Sequence, residues 1–438
     1  MPNQIKILSK IKPFKKTIEV ASDKSLSIRA VLLASQAVGV STISNILESE
    51  DVLNAIKSIK KLGIECKKIN NQYKILGYGL NGFDIKKKTT IDAGNSGTLA
   101  RLILGLLVKS EKTVKIIGDK SLSKRDFSRV TEPLKKFGTN IKSKKNLLPV
   151  EILGTDFLRP INYFETRGSA QCKSAVMLAA LNAPGTTTIK AKKSRNHTEL
   201  LCKYLKLPVI VKSKKNYDEI KIKKVNYIKP LNYNIPSDIS SSAFFMVLTA
   251  LMSNSNLTIR NVNINPTRTG IITILRKMGI KIIFKNKKLY KGEKNADIKI
   301  TSPSVLKPIN CPSKLNSSAI DEFLVIFLVA AKAKGISYFK NLSELNQKES
   351  PRLKWGAKIL NKMGVKTITT SNSIKIYGNP NLKIDKKIII KDYLKDHRVF
   401  MTSIIAALSF GGNWKIYDKN CFRTSFPNFL KIINDFKN

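Results

Sequence analysis

Charged and hydroxyl-bearing side chains gather at the starts of six otherwise apolar segments. A helix N-terminus presents free backbone N–H groups and a partial positive charge, so it attracts anions. Arginine or lysine near most of these starts indicates a ligand with phosphate or carboxylate groups, which a guanidinium grips through two hydrogen bonds. Capping by Ser, Thr, Asp and Asn is the alternative for any single segment, but capping leaves the cations unexplained. The clusters are Asp23-Lys24-Ser25 with Arg29, Gly94-Asn95-Ser96-Gly97-Thr98 with Arg101, Ser169-Ala170-Gln171 with Lys173, Ser237-Asp238-Ile239-Ser240-Ser241, Asp321-Glu322, and Asp396-His397-Arg398.

Two further segments carry arginine outside these clusters. Arg125 stands just before a predicted surface helix. At the start of another such helix stand Lys348, Glu349 and Arg352. A glutamate between lysine and arginine is either a surface ion pair or a carboxylate held for proton transfer, with Asp321 as its partner. The residues themselves leave both interpretations open.

Several common catalytic motifs are missing from the sequence. No G-x-x-x-x-G-K-[ST] loop occurs, and the G-x-G-x-x-G match at 77–82 is not followed by a helical pattern. The five cysteines are scattered without a C-x-x-C pair, so we expect buried reduced thiols and no metal site. His197 and His397 stand at predicted helix starts beside arginines, which favours capping or phosphate contact over base catalysis.

Each cluster stands at the same place in a repeated element of the sequence. Such a repeat determines the architecture that positions the clusters. Each repeat contains an apolar helix rich in small residues and then a β-branched strand. The helices start at residues 25, 97, 169, 241, 321 and 397. An amphipathic, lysine-bearing helix alternates with them, at 51–63, 127–138, 198–207, 270–279, 351–364 and 426–436. Helices that are apolar all round are buried and helices with one polar face lie at the surface, so each repeat supplies one of each kind.

Four of the amphipathic segments end in glycine, as expected for a left-handed C-terminal cap. These residues are Gly63, Gly138, Gly279 and Gly364.

The 438 residues suggest two or three domains, and evenly spaced repeats form either an open solenoid or three units around each of two cores. Spacing alone does not decide between these architectures. The proline-containing stretch at 234–238, near the midpoint of the repeats, is a candidate domain crossing. A second crossing near Ala21 and Ser22 would build one domain from both ends of the chain.

The net charge is +49, with 79 Lys and Arg against 30 Asp and Glu. Such a charge usually suggests a nucleic-acid partner. Here the lysines are spread over the whole length, and Lys, Asn and Ile, which share A/T-rich codons, are all abundant. We therefore interpret the charge as a codon-composition bias, with attraction of anionic ligands as a supplement, and expect no nucleic-acid partner.

The sequence also predicts that no segment enters a membrane. The longest apolar run, 323–331, is far shorter than the roughly 20 residues of a spanning helix. Residues 1–20 hold no apolar stretch long enough for a signal peptide. We expect a cytoplasmic protein.

Ten motifs, in order from about residue 18 to residue 429, resemble those of the 5-enolpyruvylshikimate-3-phosphate synthase family, the 3-phosphoshikimate 1-carboxyvinyltransferases. The forms Ser-Ala-Gln and Ser-Arg-x-His-Thr-Glu are similar to the bacterial subgroup called class II. The motifs are DKSLSIRA from Asp23, GNSGT from Gly94, GDKSLSKR from Gly118, SAQ from Ser169, SRNHTE from Ser194, DISSSAFF from Asp238, IDE from Ile320, KESPR from Lys348, DHR from Asp396 and SFP from Ser425.

The resemblance implies an α/β fold, a two-domain inside-out α/β barrel. It has six βαβαββ units, three per domain, with buried parallel helices whose N-termini face an interdomain cleft. The first domain would be discontinuous, with residues 1–21 and 240–438, and the second would comprise residues 22–239. The active site would lie in the cleft, with closure on substrate.

The resemblance also implies a reaction. The enolpyruvyl group of phosphoenolpyruvate moves to the 5-hydroxyl of shikimate 3-phosphate, and phosphate is released by addition and elimination through a tetrahedral intermediate. This step leads to chorismate and aromatic amino acids. The partners would be these two small anions, with no cofactor, no metal, no membrane and no nucleic acid, and the protein would be a monomer.

Matching motifs imply roles for individual residues. Asp321 is the expected base for the 5-hydroxyl, and Glu349 with Lys24 is expected to move the proton at the methylene carbon of phosphoenolpyruvate. The expected contacts of shikimate 3-phosphate are Lys24, Ser25, Arg29, Ser169, Ala170, Gln171, Ser194, Asp321 and Lys348. Those of phosphoenolpyruvate are Lys24, Gly97, Arg125, Gln171, Arg352 and Arg398.

The sequence departs from the family pattern at a few positions beside these residues. Ser22 replaces a glycine, Asp126 replaces a proline, and Thr424 replaces a lysine found in some members. The expected binding residues themselves are present. The departures therefore concern affinity more than reaction type, and Asp126 stands nearest a phosphate-binding arginine.

Three alternatives compete with this interpretation. The sister enzyme that transfers enolpyruvyl to UDP-N-acetylglucosamine shares the fold, but it usually has a reactive cysteine in the first half, and no cysteine lies between Cys66 and Cys172 here. A basic nucleic-acid-binding repeat protein would lose binding steeply with salt. An inactive member of the family is the third alternative, because of Asp126 and Ser22.

Overall fold

The structure is a computed structural model that describes residues 3–437; Met1, Pro2 and Asn438 lie outside the described residues. The chain divides into two compact units. The first unit contains the chain up to Ala21, Pro236–Tyr290 and the chain from Lys294 onward. The second unit contains Ser22–Ile235 and the short segment Lys291–Glu293. Strands and helices alternate in both units, which is the predicted α/β class, while the predicted domain limits stay a prediction.

The strands are short and follow the predicted β-branched segments. In chain order they are β1 (Gln4–Ile7), β2 (Lys15–Ile18), β3 (Val38–Ser44), β4 (Glu65–Ile69), β5 (Gln72–Tyr78), β6 (Thr89–Asp92), β7 (Val114–Ile117), β8 (Asn140–Ser143), β9 (Val150–Leu153), β10 (Asn162–Glu165), β11 (Thr186–Lys192), β12 (Val209–Ser213), β13 (Tyr217–Lys223), β14 (Asn232–Asn234), β15 (Asn256–Asn263), β16 (Lys281–Tyr290), β17 (Glu293–Thr301), β18 (Gly335–Phe339), β19 (Thr367–Thr369), β20 (Ile374–Gly378), β21 (Lys387–Ile390) and β22 (Asn413–Tyr417).

The helices alternate between the two predicted kinds, with one short extra helix, α9, that the sequence pattern does not predict. In chain order they are α1 (Lys24–Ala34), α2 (Glu50–Lys61), α3 (Gly97–Leu106), α4 (Ser128–Lys136), α5 (Ala170–Ala180), α6 (His197–Tyr204), α7 (Ile239–Leu251), α8 (Gly270–Lys277), α9 (Asn316–Ala319), α10 (Phe323–Lys332), α11 (Arg352–Lys362), α12 (His397–Phe410) and α13 (Phe429–Asp435). None of the helices between residues 3 and 437 is long and apolar enough to cross a membrane.

Across residues 3–437 the strands form six sheets, three in each unit, with one common plan. In five of the sheets the strand that follows the buried helix lies between a parallel neighbour and an antiparallel neighbour, as β3 and β7 do. In the remaining sheet β18 pairs antiparallel with β20, and on its other side it has an isolated parallel bridge between Tyr338 and Asn310. In the second unit the sheet orders are β14-β3-β5-β4, β6-β7-β9-β8 and β10-β11-β13-β12. In the first unit they are β16-β17-β15-β2, β18-β20-β19 and β1-β22-β21. The six-fold repeat predicted from the sequence is confirmed.

Distant parts of the chain complete some of these sheets. In the second unit β14 pairs in parallel with β3, with Asn232 opposite Thr42. In the first unit the N-terminal strands β1 and β2 pair with β22 and β15. The first sheet of the second unit is therefore built from both ends of that unit.

The core of each unit consists of the predicted apolar helices. In the second unit α3 packs against α1 and α5; in the first unit α7, α10 and α12 pack against one another. Every residue of α7 is buried, and α10 is buried from Phe323 to Ala331. The amphipathic helices cover these cores with one polar face outward. Their predicted terminal glycines are confirmed as left-handed residues, with φ of +86° at Gly63 and +109° at Gly138.

Candidate active site

Five of the six buried helices, all except α10, have a polar N-cap side chain that accepts a hydrogen bond from the helix's own first turn. Asp23 Oδ1, for example, accepts a hydrogen bond from the backbone N–H of Leu26 at 2.9 Å. The side chains that cap in this way are Asp23, Ser96, Ser169, Asp238 and Asp396. Capping therefore accounts for these hydroxyls and carboxylates, and the arginines and lysines beside them need a separate explanation.

Arg29 is buried in the second unit and is held on three sides. Its Nε donates to Thr198 Oγ1 at 2.9 Å, and its Nη1 donates to the carbonyl oxygen of Ser25 at 3.1 Å. Its Nη2 donates to Ser174 Oγ at 3.3 Å. Helices α1, α5 and α6 thus fix the direction of this guanidinium. The sequence reasoning missed Thr198 and Ser174, because nothing in their local pattern separates them from ordinary helix residues.

Lys24, the first residue of α1, is paired with a carboxylate. Its Nζ lies 2.7 Å from Asp51 Oδ2, and the two side chains are 20% and 7% exposed. Asp51 lies in the first turn of α2, where an acidic residue also suits the helix dipole. This partner was missed, since an acid in a first turn has an ordinary explanation.

A cradle of two guanidiniums surrounds the start of α3. A Cβ atom added at Gly97 would lie 2.7 Å from Arg101 Nη1 and 3.1 Å from Arg125 Nη1. Arg101 Nη1 also donates to Gln171 Oε1 at 2.9 Å, and Gln171 Nε2 donates to Thr98 Oγ1 at 2.9 Å. The glycine leaves room for both cations beside a helix N-terminus, which is an arrangement that favours anion binding. Burial lowers the pKa of the Arg101 guanidinium.

Ser194 contributes a buried hydroxyl in the second unit. Its Oγ has no hydrogen-bond partner among the described residues, although its side chain is more than nine-tenths buried. Ser169 and Ala170 lie at the start of α5, directly before Gln171. A buried hydroxyl without a protein partner is suited to a ligand oxygen.

In the first unit, Arg352 is surrounded by three carboxylates. Its Nε donates to Asp396 Oδ2 at 2.9 Å and its Nη2 to Asp396 Oδ1 at 3.3 Å. Its Nη1 lies 3.3 Å from Asp321 Oδ1, and its Nη2 contacts Glu349. Burial disfavours the charged guanidinium and by itself would lower the pKa of Arg352. The three carboxylates outweigh burial and hold this pKa above its ordinary range. Burial likewise opposes ionisation of Asp396, but Arg352 keeps the pKa of that carboxyl below its usual value.

Asp321 is contacted by three cations from two other motifs, KESPR and DHR. Lys348 Nζ and Arg352 Nη1 each lie 3.3 Å from its Oδ1. Arg398 Nη1 donates to its backbone carbonyl oxygen at 2.7 Å and lies 3.8 Å from Glu322 Oε1. The structure therefore brings together five candidate catalytic and binding residues of the first unit: Asp321, Lys348, Glu349, Arg352 and Arg398.

Residues 8–433 match the family profile described as EPSP synthase (3-phosphoshikimate 1-carboxyvinyltransferase). The chain belongs to the EPSP synthase family. The 3-phosphoshikimate 1-carboxyvinyltransferase of Ruthia magnifica subsp. Calyptogena magnifica is 40% identical over 418 residues, which cover 95% of this chain and 94% of that protein. The protein of the same name from Vesicomyosocius okutanii subsp. Calyptogena okutanii is 38% identical over 418 residues, with the same coverage of 95% and 94%.

A solved EPSP synthase structure has the same fold. The enzyme from Acinetobacter baumannii superposes with a TM-score of 0.86 and 34% sequence identity. The superposition covers 99% of this chain and 98% of that one. The two-domain α/β fold expected from the resemblance to EPSP synthases is confirmed.

The role of Glu349 was left open by the sequence. In this member of the EPSP synthase family its side chain is partly buried. Glu349 and its partner Arg352 have side chains that are 17% and 2% exposed. Glu349 therefore forms an ion pair, but a mostly buried one, and its role in proton transfer stays a prediction.

Asp126, the departure from the family pattern beside Arg125, has a structural role. Its Oδ1 accepts a hydrogen bond from the backbone N–H of Ser128 at 2.8 Å, at the start of α4. Burial raises the pKa of the carboxyl, but the hydrogen bonds from Ser128 and the charges of Arg129 and Arg167 outweigh it and lower the pKa overall. The carboxylate is thus engaged by a helix start.

The buried free thiols predicted for the cysteines are confirmed, whereas the capping alternative is wrong for His197. All five cysteines are free and buried. Between residues 3 and 437 no group of three or more His, Cys, Asp or Glu residues could hold a metal ion. His197 does not cap α6, whose N-cap is Asn196, and its Nδ1 lies 2.6 Å from Glu293 Oε1. A carboxylate 96 residues downstream could not be foreseen from local sequence.

Proposed function

We propose that this chain transfers the enolpyruvyl group of phosphoenolpyruvate to the 5-hydroxyl of shikimate 3-phosphate and releases phosphate. The observation that carries the proposal is the convergence of Lys348, Arg352 and Arg398 on Asp321 in a chain of the EPSP synthase family. A carboxylate for proton transfer and cations for two anionic substrates are the groups that such a reaction needs.

The reaction consists of an addition and an elimination. In the addition, the 5-hydroxyl oxygen forms a bond to C2 of phosphoenolpyruvate, the hydroxyl loses its proton, and the methylene carbon gains one. In the elimination, the C–O bond to the phosphate breaks and the same carbon returns a proton. The double bond is thereby restored in the product.

We assign the two proton transfers to two carboxylates. Asp321 accepts the hydroxyl proton, and its position is fixed by Lys348 and Arg352 at 3.3 Å. Glu349, together with Lys24, moves the proton at the methylene carbon. The ion pair of Glu349 with Arg352 supports a held carboxylate in this role.

Observations within each unit separately support the residues proposed for substrate binding. The residues proposed for shikimate 3-phosphate in the second unit are supported by the fixed guanidinium of Arg29 and the unsatisfied hydroxyl of Ser194. The residues proposed for phosphoenolpyruvate are supported by the two guanidiniums beside Gly97 and by Arg352. Preformed cations offset the charge that develops on the substrates, and loss of one such contact costs roughly 100- to 1000-fold in rate.

The test is phosphate release from phosphoenolpyruvate with three choices of acceptor: shikimate 3-phosphate, UDP-N-acetylglucosamine, and none. We expect release with shikimate 3-phosphate alone. Asp321→Asn should abolish it, whereas Asp156→Asn, a control at an exposed carboxylate paired with Lys109, should retain it. Release with the sugar nucleotide instead would assign the chain to the sister activity. No release with either acceptor, in folded protein, would refute the proposal.

Two finer predictions accompany this function. The protein is proposed to be a monomer that acts in the cytoplasm. Light scattering of the purified protein would measure its mass directly, and a dimer mass would contradict the first of these predictions.

A further inference from the structure

A tight hairpin turn delivers an acidic residue to the second unit. Strands β16 and β17 are joined by Lys291 and Gly292, whose φ angles are +50° and +87°. Two consecutive residues with positive φ are typical of the two-residue turn that suits the twist of a β-hairpin. The turn and the next residue, Glu293, belong to the second unit, although Tyr290 and Lys294 on either side belong to the first.

The turn lies against the start of α6. Glu293 Oε1 is 2.6 Å from His197 Nδ1, and the two side chains are 1% and 0% exposed. The neighbouring residues also meet this helix, because Lys291 Nζ is 5.0 Å from the ring centroid of Tyr204 and a Cβ at Gly292 would lie 3.6 Å from Leu200. The side chains of the His197–Glu293 pair are therefore almost completely buried.

The two residues after His197 make buried polar contacts with the core helices. Thr198 Oγ1 accepts from Arg29 Nε at 2.9 Å and lies 2.7 Å from Ser174 Oγ. Glu199 Oε1 is 2.6 Å from Lys173 Nζ. The first turn of α6 is thus held by three successive polar contacts in different directions. Such contacts fix rotation and translation of the turn far more closely than apolar packing would.

A buried pair of polar side chains contributes little to stability compared with well-packed apolar residues, so the His197–Glu293 pair calls for another explanation. The turn that it fixes carries Thr198, the partner of Arg29, and begins three residues after Ser194. Arg29 and Ser194 are both proposed to contact shikimate 3-phosphate. A shift of the turn would move both groups together.

We infer that Glu293 is a positioning residue for shikimate 3-phosphate: by holding His197 it sets the first turn of α6 and, through it, Arg29 and Ser194. This inference rests on the proposed function. It assigns Glu293 no contact with substrate and no part in proton transfer. Its effect should be larger on the binding of shikimate 3-phosphate than on that of phosphoenolpyruvate, because four of the proposed phosphoenolpyruvate contacts lie outside α1, α5 and α6: Gly97, Arg125, Arg352 and Arg398.

The experiment measures KM for each substrate in the full-length protein carrying Glu293→Ala or Glu293→Gln. Misplaced binding groups weaken binding strongly, so Glu293→Ala should raise KM for shikimate 3-phosphate by roughly 10-fold or more and leave KM for phosphoenolpyruvate within roughly 2-fold. Glu293→Gln keeps the length and an acceptor oxygen for His197, and it should restore KM to within roughly 3-fold of the wild type. Glu132→Gln, at an exposed pair with Lys135, is the matched control and should change neither constant.

A purely structural role gives a different result. It would lower the melting temperature and the amount of active enzyme while both KM values stayed at the wild-type level, and that outcome would overturn the inference. If Glu293→Ala does not fold, Glu293→Asp provides the test. Its side chain is shorter by one methylene, so the carboxylate lies farther from His197 and its chemistry is unchanged. A raised KM for shikimate 3-phosphate in Glu293→Asp supports the inference, and an unchanged KM overturns it. Absence of release by the wild type would instead refute the proposed function, and the inference with it.

Discussion

Arg352 and Asp396 form a two-pronged pair that is buried in the first unit. Nε donates to Oδ2 at 2.9 Å and Nη2 donates to Oδ1 at 3.3 Å, and Ser350 Oγ adds a third hydrogen bond to Oδ2 at 2.8 Å. Asp396 also caps α12 through the backbone N–H of Arg398. The carboxylate therefore orients one arginine and starts the helix that carries another.

Arg352→Lys tests the value of this geometry. A lysine keeps the charge but loses the planar fork, so it cannot hold both oxygens of Asp396 and reach Asp321 as well. We expect kcat/KM for phosphoenolpyruvate to fall roughly 100- to 1000-fold in steady-state kinetics. The control is Arg276→Lys. Arg276 Nε and Nη2 both donate to the carbonyl oxygen of Ile282, at 3.2 and 2.8 Å. Equal kcat/KM for Arg352→Lys and wild type would contradict the assignment.

Gly97→Ala tests the cradle at the start of α3. The added Cβ would meet the ends of Arg101 and Arg125 at 2.7 and 3.1 Å, so the guanidiniums must move while the backbone can stay. We expect a higher KM for phosphoenolpyruvate and a melting temperature close to that of the wild type. A KM equal to that of the wild type would show that phosphoenolpyruvate binding does not depend on the present positions of the two guanidiniums.

Asp126→Ala separates the hydrogen bond at the start of α4 from substrate binding. Loss of the contact with Ser128 should reduce the free energy of unfolding by about 1 kcal/mol, whereas Asp126→Asn, which can still accept this hydrogen bond, should cost less. The folded pKa of Asp126 is lowered, so its contribution is complete above the unfolded pKa of about 4 and is lost as the pH falls further. Urea unfolding at pH 7 and pH 3.5 measures both effects.

Neither variant should change kcat/KM by more than roughly 3-fold, because the carboxylate is occupied by α4. A gain of about 10-fold in kcat/KM with Asp126→Ala would instead mean that Asp126 competes with the substrate for Arg125.

The cysteines should be unreactive in the native protein. Burial raises the pKa of Cys202 to about 12 and that of Cys311 to about 11, and it also raises the pKa of Cys66, Cys172 and Cys421. Since the thiolate is the reactive form, a thiol reagent at pH 8 should label almost none of them within minutes. All five should react after unfolding in guanidinium chloride. Rapid labelling of any cysteine in the native protein would contradict this burial.

The elements of the fold were predictable because they depend on local patterns. Helices apolar on all sides, such as α7 and α10, have no polar face to show to water, and their burial follows from composition. The terminal glycines of the amphipathic helices have a conformational reason that needs no tertiary context. The six-fold repetition then made each local prediction support the others.

The partners of the site residues could not be predicted in this way. Arg29 bonds Thr198 across 169 positions of sequence, and Lys24 pairs with Asp51 across 27. Such contacts depend on how helices pack, and many acids and hydroxyls in the chain are equally good candidates. The expected roles at the site came from motif resemblance, and the geometry adds the residues that hold them.

The central claim is enolpyruvyl transfer to shikimate 3-phosphate, and proton NMR of the reaction in D2O tests it most directly. The account predicts that the vinyl signals of phosphoenolpyruvate give way to those of an enolpyruvyl ether. Deuterium should enter the vinyl positions, because the methylene carbon gains and loses a proton during the reaction. Phosphoenolpyruvate that persists unchanged, or pyruvate that appears in place of the ether, would contradict the account.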